Sequence, residues 1–151
     1  MIDETFLTRN NAKLSAKGAH AILHAAEEEA ARMGVPQCIA VVDEGGQLLA
    51  FSRMDGARIG SIEIAITKAV SAAIRRRPTA DEAGGDVLIT VRLALAAREQ
   101  RMTGQGGGLP IEAEAQVVGG IGVSSGTSEQ DTQVAHAGLA AFLGAPAGAA
   151  R

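Results

Sequence analysis

Arg53, Asp55 and Lys68 are the residues of this chain best suited to do chemistry. An arginine can take a carboxylate through two parallel hydrogen bonds, and a lysine or aspartate removed from water can move a proton. Arg53 and Asp55 flank the end of an expected strand, where irregular backbone begins and clefts open, and Lys68 falls one or two turns into the next helix. The same charges serve equally well as an ion-pair cluster fixing strand to helix. If both hold, the cluster is one wall of an anion site. Gly107, Gly108, Ser124, Ser125 and Thr127 would complete it with bare backbone and hydroxyls. Removing one charged hydrogen bond from such a site costs roughly 1.5–3 kcal/mol of affinity.

The other candidates are weaker. His20 and His24 stand four residues apart with Glu27 and Glu28 continuing that face, a spacing that can hold a metal or offer a haem axial ligand. That face lies opposite the apolar stripe, so a solvated surface is the simpler reading, and the same applies to His136. No His-Glu-x-x-His, cysteine cluster or three-ligand spacing exists, so no structural metal is expected. Gly122-Val-Ser-Ser-Gly126 matches a nucleophile elbow in letters but lacks a parallel-sheet setting. The glycines at 104–108 lack the Lys-Ser/Thr ending of a phosphate loop. Cys38, the single cysteine, sits in an apolar run and reads as a core residue.

These residues need elements to hold them. Helical spacing of Ala19, Ile22, Leu23, Ala26, Ala30 and Met33 predicts a helix over 14–33, closed by Gly34 and Pro36. Residues 37–43 and 47–54 predict a hairpin turning at Asp43-Glu-Gly-Gly46. Ser61 is expected to cap a helix over 61–76 with Ile62, Ala65, Ile66, Ala69 and Ala73 inward. Residues 79–110 are illegible between strand and helix, with 104–110 read as a flexible loop. A second hairpin is expected over 111–124, turning near Glu114. Thr127 and Gln130 form a capping box for a helix over 128–143.

Within 116–124, alternation sets Val117, Gly119, Ile121 and Val123 against Val118, Gly120, Gly122 and Ser124. Glycines weaken a strand, so this face needs a reason: a bulge, or close approach of a backbone, a helix or a flat ligand. As a flat apolar slot it would suit haem. Helices joined to hairpins make the fold class α+β, a central antiparallel sheet with helices packed on it. Residues 1–143 form one domain, and the Ala/Gly/Pro-rich 144–151 is expected to be a disordered tail.

Composition narrows function further. Of 151 residues, 46% are hydrophobic, but alanine carries much of that and only three are aromatic. Such a core buries little area per residue, which predicts a homo-oligomer. The net charge of −3 and the lack of a basic face argue against nucleic acid. Arg75-Arg76-Arg77 suits a helix end, with a phosphate or haem-propionate contact as the sharper reading. No run of about 18 apolar residues exists to cross a membrane. An acidic start, Met1 to Phe6, is no secretory signal, so a cytoplasmic protein is expected.

Ile39-Ala-Val-Val-Asp-Glu-Gly-Gly46, Arg53-Met-Asp-Gly-Ala57, Ser61, Lys68-Ala69, Gly106-Gly-Gly-Leu-Pro110, Val118-Gly-Gly-Ile-Gly-Val-Ser124 and Glu129-Gln-Asp131 together resemble the GlcG/HbpS-like family, also labelled haem-degrading. That family includes proteins of glycolate-utilisation operons, a haem-binding redox sensor component, and the C-terminal module of PduO-type cobalamin adenosyltransferases. The resemblance runs from Leu14 to Phe142. It implies a profilin-like α/β/α sandwich, often an octamer, and members that bind haem, iron or corrinoid-related ligands. The chain departs from the haem-sensor type in lacking a secretion signal, and 83–105 fits loosely. The implied function is a small-ligand-binding protein whose ligand is a small anion or haem. The alternatives are a cofactor-independent isomerase, lyase or hydrolase of a small carboxylate, oriented by Arg53 with Lys68 or Asp55 moving a proton, and an accessory subunit without a pocket.

Overall fold

The computed structural model describes residues 1–9, 11–80, 87–97 and 101–144. Helix α1 (Ala16–Met33) starts at Ser15, whose side chain accepts from Gly18 N, and stops at Gly34 in the left-handed conformation. Strands β1 (Cys38–Asp43) and β2 (Leu48–Arg53) form the first hairpin, and helix α2 spans Ser61–Arg75. Helix α3 (Val87–Ala96) follows, then β3 (Gly108–Ala113), β4 (Gln116–Ser124) and helix α4 (Ser128–Phe142). The sheet order is β2-β1-β4-β3, antiparallel throughout. Thr127 and Gln130 close the expected capping box. The second hairpin turns at Glu114 and Ala115, both at positive φ (52° and 60°), as a two-residue primed turn demands.

The sheet is covered on both faces. Ile39, Val41, Ile121 and Val123 face one way and pack with Ile22, Leu23 and Ala26 of α1 and Val134 and Ala135 of α4. Cys38, Ala40 and Val42 face the other way, against Ala65, Ala69, Val70 and Ala73 of α2.

The sequence reading needs four corrections. Ser61 is the first helical residue rather than the cap; Gly60 holds the cap position without a side-chain bond. The stretch 108–110, read as loop, opens β3, because Pro110 sits on an edge strand where a missing N–H is tolerated. Strict alternation fails at Val118: the register slips between Ile111 and Glu112, and the extra residue turns Val118 into the same core as Ile121. Finally, the Gly120/Gly122 face is no slot for a flat ligand. A Cβ on Gly122 would lie 2.0 Å from the Ala65 carbonyl oxygen, and one on Gly120 2.3 Å from that of Ala69. The glycines are there to seat the alanine-lined backbone of α2. The expected link at Gly84-Gly85 and nearly all of the expected tail lie outside the described residues.

Candidate functional site

A cleft of about 450 Å³ opens where α2 and α4 begin. Ser61, Ile64 and Lys68 reach it from one face of α2, at helical spacing. Ser124 and Gly126 supply the end of β4 and its turn, Ser128 and Asp131 the first turn of α4, and Arg58 and Gly60 the approach to α2. Gln105 also lines it.

At the floor of the cleft lies a buried ion pair. Lys68 Nζ donates to Asp131 Oδ2 at 2.9 Å and to the Val123 carbonyl at 2.8 Å. Both side chains are only 3% exposed. The second carboxylate oxygen, Oδ1, accepts from Gly126 N at 2.9 Å, so one aspartate fixes both the lysine and the turn. An ammonium has three hydrogens and two are engaged here, leaving one for a ligand. In the α4 cap, the Thr127 and Gln130 N–H groups are bonded within the capping box, which leaves the N–H groups of Ser128 and Glu129 as the helix's own unpaired donors. Of the charged residues lining the cleft, Arg58 and Lys68 are cationic and Asp131 is anionic, so the lining has a formal excess of positive charge.

Arg58 is held through its backbone. Its N–H donates to Ser125 Oγ at 3.0 Å, and its carbonyl accepts from the Cys38 thiol at 3.7 Å. Ser125 sits at φ 110°, a sparsely populated conformation for a residue with a Cβ. Burial pushes the Cys38 thiol up from its ordinary pKa, with the nearby Arg53 charge opposing, so Cys38 is the inert core residue its surroundings suggest. Beneath the turn, both polar atoms of the fully buried Gln37 side chain have no protein partner.

Of the residues singled out from sequence, Lys68 and Ser124 line the cleft. Ser125 and Thr127 shape its rim through the Arg58 bond and the α4 cap. Gly107 backs the ion pair: at φ 114°, a Cβ there would lie 2.8 Å from Asp131 Cβ and 3.1 Å from Lys68 Nζ. Gly108 packs against Thr79 and the Lys68 carbonyl. Arg53 and Asp55 are exposed and do not line the cleft. β2 ends at Arg53, and the chain needs the Asp55-Gly56 turn before it returns toward α2, so the cationic wall falls at Arg58. His20, His24 and His136 are exposed and likewise outside the lining. Asp131 was missed as a site residue, yet a signal existed: it stands at helical spacing with Val134, Ala135 and Gly138 on the buried stripe of α4.

These features define an α+β protein with a sheet covered on both faces and a cationic cleft at two helix starts. The chain belongs to the family described as haem degrading protein HbpS-like, whose model matches residues 14–140. It is 38% identical over 111 residues to protein GlcG of Escherichia coli (strain K12), covering 74% of this chain and 81% of GlcG. Among solved structures it is similar to Klebsiella pneumoniae protein ORFY, with a TM-score of 0.78 and 33% identity over 91% of this chain and 96% of that one. It is also similar to PduOC, solved as a complex with heme, with a TM-score of 0.75 and 28% identity over 86% of this chain and 95% of that one. Among the described residues, no helix is long and apolar enough to cross a membrane.

Proposed function

We propose that this chain is a small-ligand-binding protein of the GlcG/HbpS type whose cleft takes a small carboxylate or similar anion. The observation carrying this reading is the convergence of Arg58, the third Lys68 hydrogen and the start of α4 on one cavity. Haem is the other candidate, because a similar structure is a heme complex. Its propionates suit a cationic cleft. However, among the described residues none that lines the cleft is a His, Cys, Met or Tyr, the side chains that usually hold haem iron. The cleft therefore fits an anion better than an iron-ligated haem. Thermal-shift screening with small mono- and dicarboxylates and inorganic phosphate is expected to find a stabilising anion. Arg58→Ala should weaken it by about 1.5–3 kcal/mol, or tenfold and more, in a folded protein. Arg53→Ala should leave it unchanged. A hit insensitive to Arg58→Ala, or a saturable hemin Soret shift lost on a His substitution, would move the site elsewhere.

A second reading is favoured by the buried pair itself. Lys68 and Asp131 bring a proton donor and acceptor together at the cleft floor, which suits a cofactor-independent isomerase, lyase or hydrolase of a small carboxylate. Protein-dependent exchange of a ligand C–H in heavy water, followed by NMR, separates turnover by proton abstraction from mere binding.

The assembly belongs to the proposal too: a profilin-like subunit in an even-numbered homo-oligomer, with an octamer favoured by the family resemblance. Its support is α3, where Leu88, Ile89, Val91, Leu93 and Leu95 are all exposed large hydrophobics. Light scattering is expected to give an even multiple of 15.3 kDa. A stable monomer at micromolar concentration would end that part of the proposal.

A further inference from the structure

We propose that His20 and His24 form a two-point chelate for a divalent transition-metal ion of the Cu²⁺, Ni²⁺ or Zn²⁺ type, on the outer face of α1 and separate from the cleft. Four residues apart, the two side chains share one helix face. Both are exposed, with ring centres 6.5 Å apart and planes tilted by 43°. The decisive feature is what each ring does with its other nitrogen. His20 Nδ1 lies 2.7 Å from the Ala16 carbonyl oxygen, and His24 Nδ1 lies 3.2 Å from Glu27 Oε2. A carbonyl or carboxylate oxygen only accepts, so Nδ1 carries the hydrogen in each neutral ring. Nε2 then holds the lone pair in both.

This is how ligating histidines are oriented in metal sites: the non-ligating N–H donates to a carbonyl or carboxylate, fixing the tautomer and raising the ring's basicity. Here that supporting shell is in place for both rings at once. Metal–nitrogen bonds of about 2.0–2.1 Å put two ring centres about 5 Å apart in a tetrahedral shell. Two exposed side chains reach that by small rotations about their own bonds. Lys17, one turn before His20, opposes a cation, while Glu27 and Glu28 on the following turns favour it. Among the described residues, no group of three or more His, Cys, Asp or Glu could hold an ion, so water completes the coordination. Imidazole nitrogen suits Cu²⁺, Ni²⁺ and Zn²⁺, whereas Mg²⁺ and Ca²⁺ want oxygen.

The test is calorimetric titration of the untagged full chain, stripped with a chelator, using each metal salt alone. Saturable binding is expected, strongest for Cu²⁺, with none for Mg²⁺. His20→Ala and His24→Ala should each abolish it while leaving circular dichroism unchanged. Glu27→Ala should weaken it by about tenfold, because it removes only the acceptor that orients the His24 ring. Arg58→Ala should have no effect on it, which keeps this site's fate distinct from that of the cleft. Absence of saturable binding, or unchanged binding in a folded His20→Ala or His24→Ala protein, overturns the proposal.

Discussion

Gly122→Ala is expected to destabilise the fold severely. The added methyl would lie 2.0 Å from the Ala65 carbonyl oxygen and 2.4 Å from Ala69 N, both backbone atoms of α2. No side-chain rotation relieves such a clash, so the helix would have to lift off the sheet. Overpacking a core costs about 1–3 kcal/mol when side chains can adjust, and more when they cannot. A loss of about 3 kcal/mol or more is therefore expected, a large part of a small domain's stability. Gly60→Ala is the control: a Cβ there meets nothing within 4 Å, and its φ of −62° suits any residue. Urea unfolding of both variants reads the difference. A Gly122→Ala protein within about 0.5 kcal/mol of the parent would mean that α2 is not seated on β4 as described, since that margin is what a neutral surface change produces.

The same contact explains what the sequence could and could not disclose. Three glycines in an apolar strand announced a close neighbour, but not whether it was a helix backbone or a flat ligand. That choice depends on α2, a distant segment of the chain, whose Ala65, Ala69 and Ala73 repeat every four positions and leave room for nothing else. Hairpin and helix limits were legible because local chemistry sets them: Asp43 Oδ1 accepts from Gly45 N and Gln47 N, and the box at Thr127 closes within four residues. The segment 79–110 was illegible for the opposite reason. Val87–Ala96 is apolar on nearly every side, so it has no helical stripe to read, and its large side chains remain exposed within one chain. Only the opening of β3 at 108–110 was hidden, by Pro110, which marks a break unless the strand is known to be an edge.

The site was legible in its residue types more than in its positions. The sequence pointed to Arg53, whereas the arginine lining the cleft is Arg58, whose backbone is held by the Ser125 and Cys38 bonds from distant chain segments. Lys68 and Asp131 each place a charge on the buried stripe of its own helix. Read singly, either charge is an anomaly; read as a pair, each supplies what the other needs.

That pairing sets the last expectation. Lys68→Met should cost about 3–5 kcal/mol, because it strands a buried carboxylate that keeps only the Gly126 N–H. Asp131→Leu should cost a similar amount, stranding the ammonium and releasing the turn. The double variant should be more stable than either single one, since a buried pair replaced as a unit loses its desolvation penalty together with its attraction. It should still fall somewhat short of the parent: Gly126 N remains without an acceptor, a loss of about 1 kcal/mol. A double-mutant cycle on unfolding free energies reads the coupling directly. If the two losses simply add, Lys68 and Asp131 do not meet in the folded chain, and the cleft floor described here is wrong. Strong coupling with a near-normal double variant would show that stability does not require the pair. Its presence at the floor of a cleft would then be explained by ligand chemistry, and the same double variant should bind no anion there.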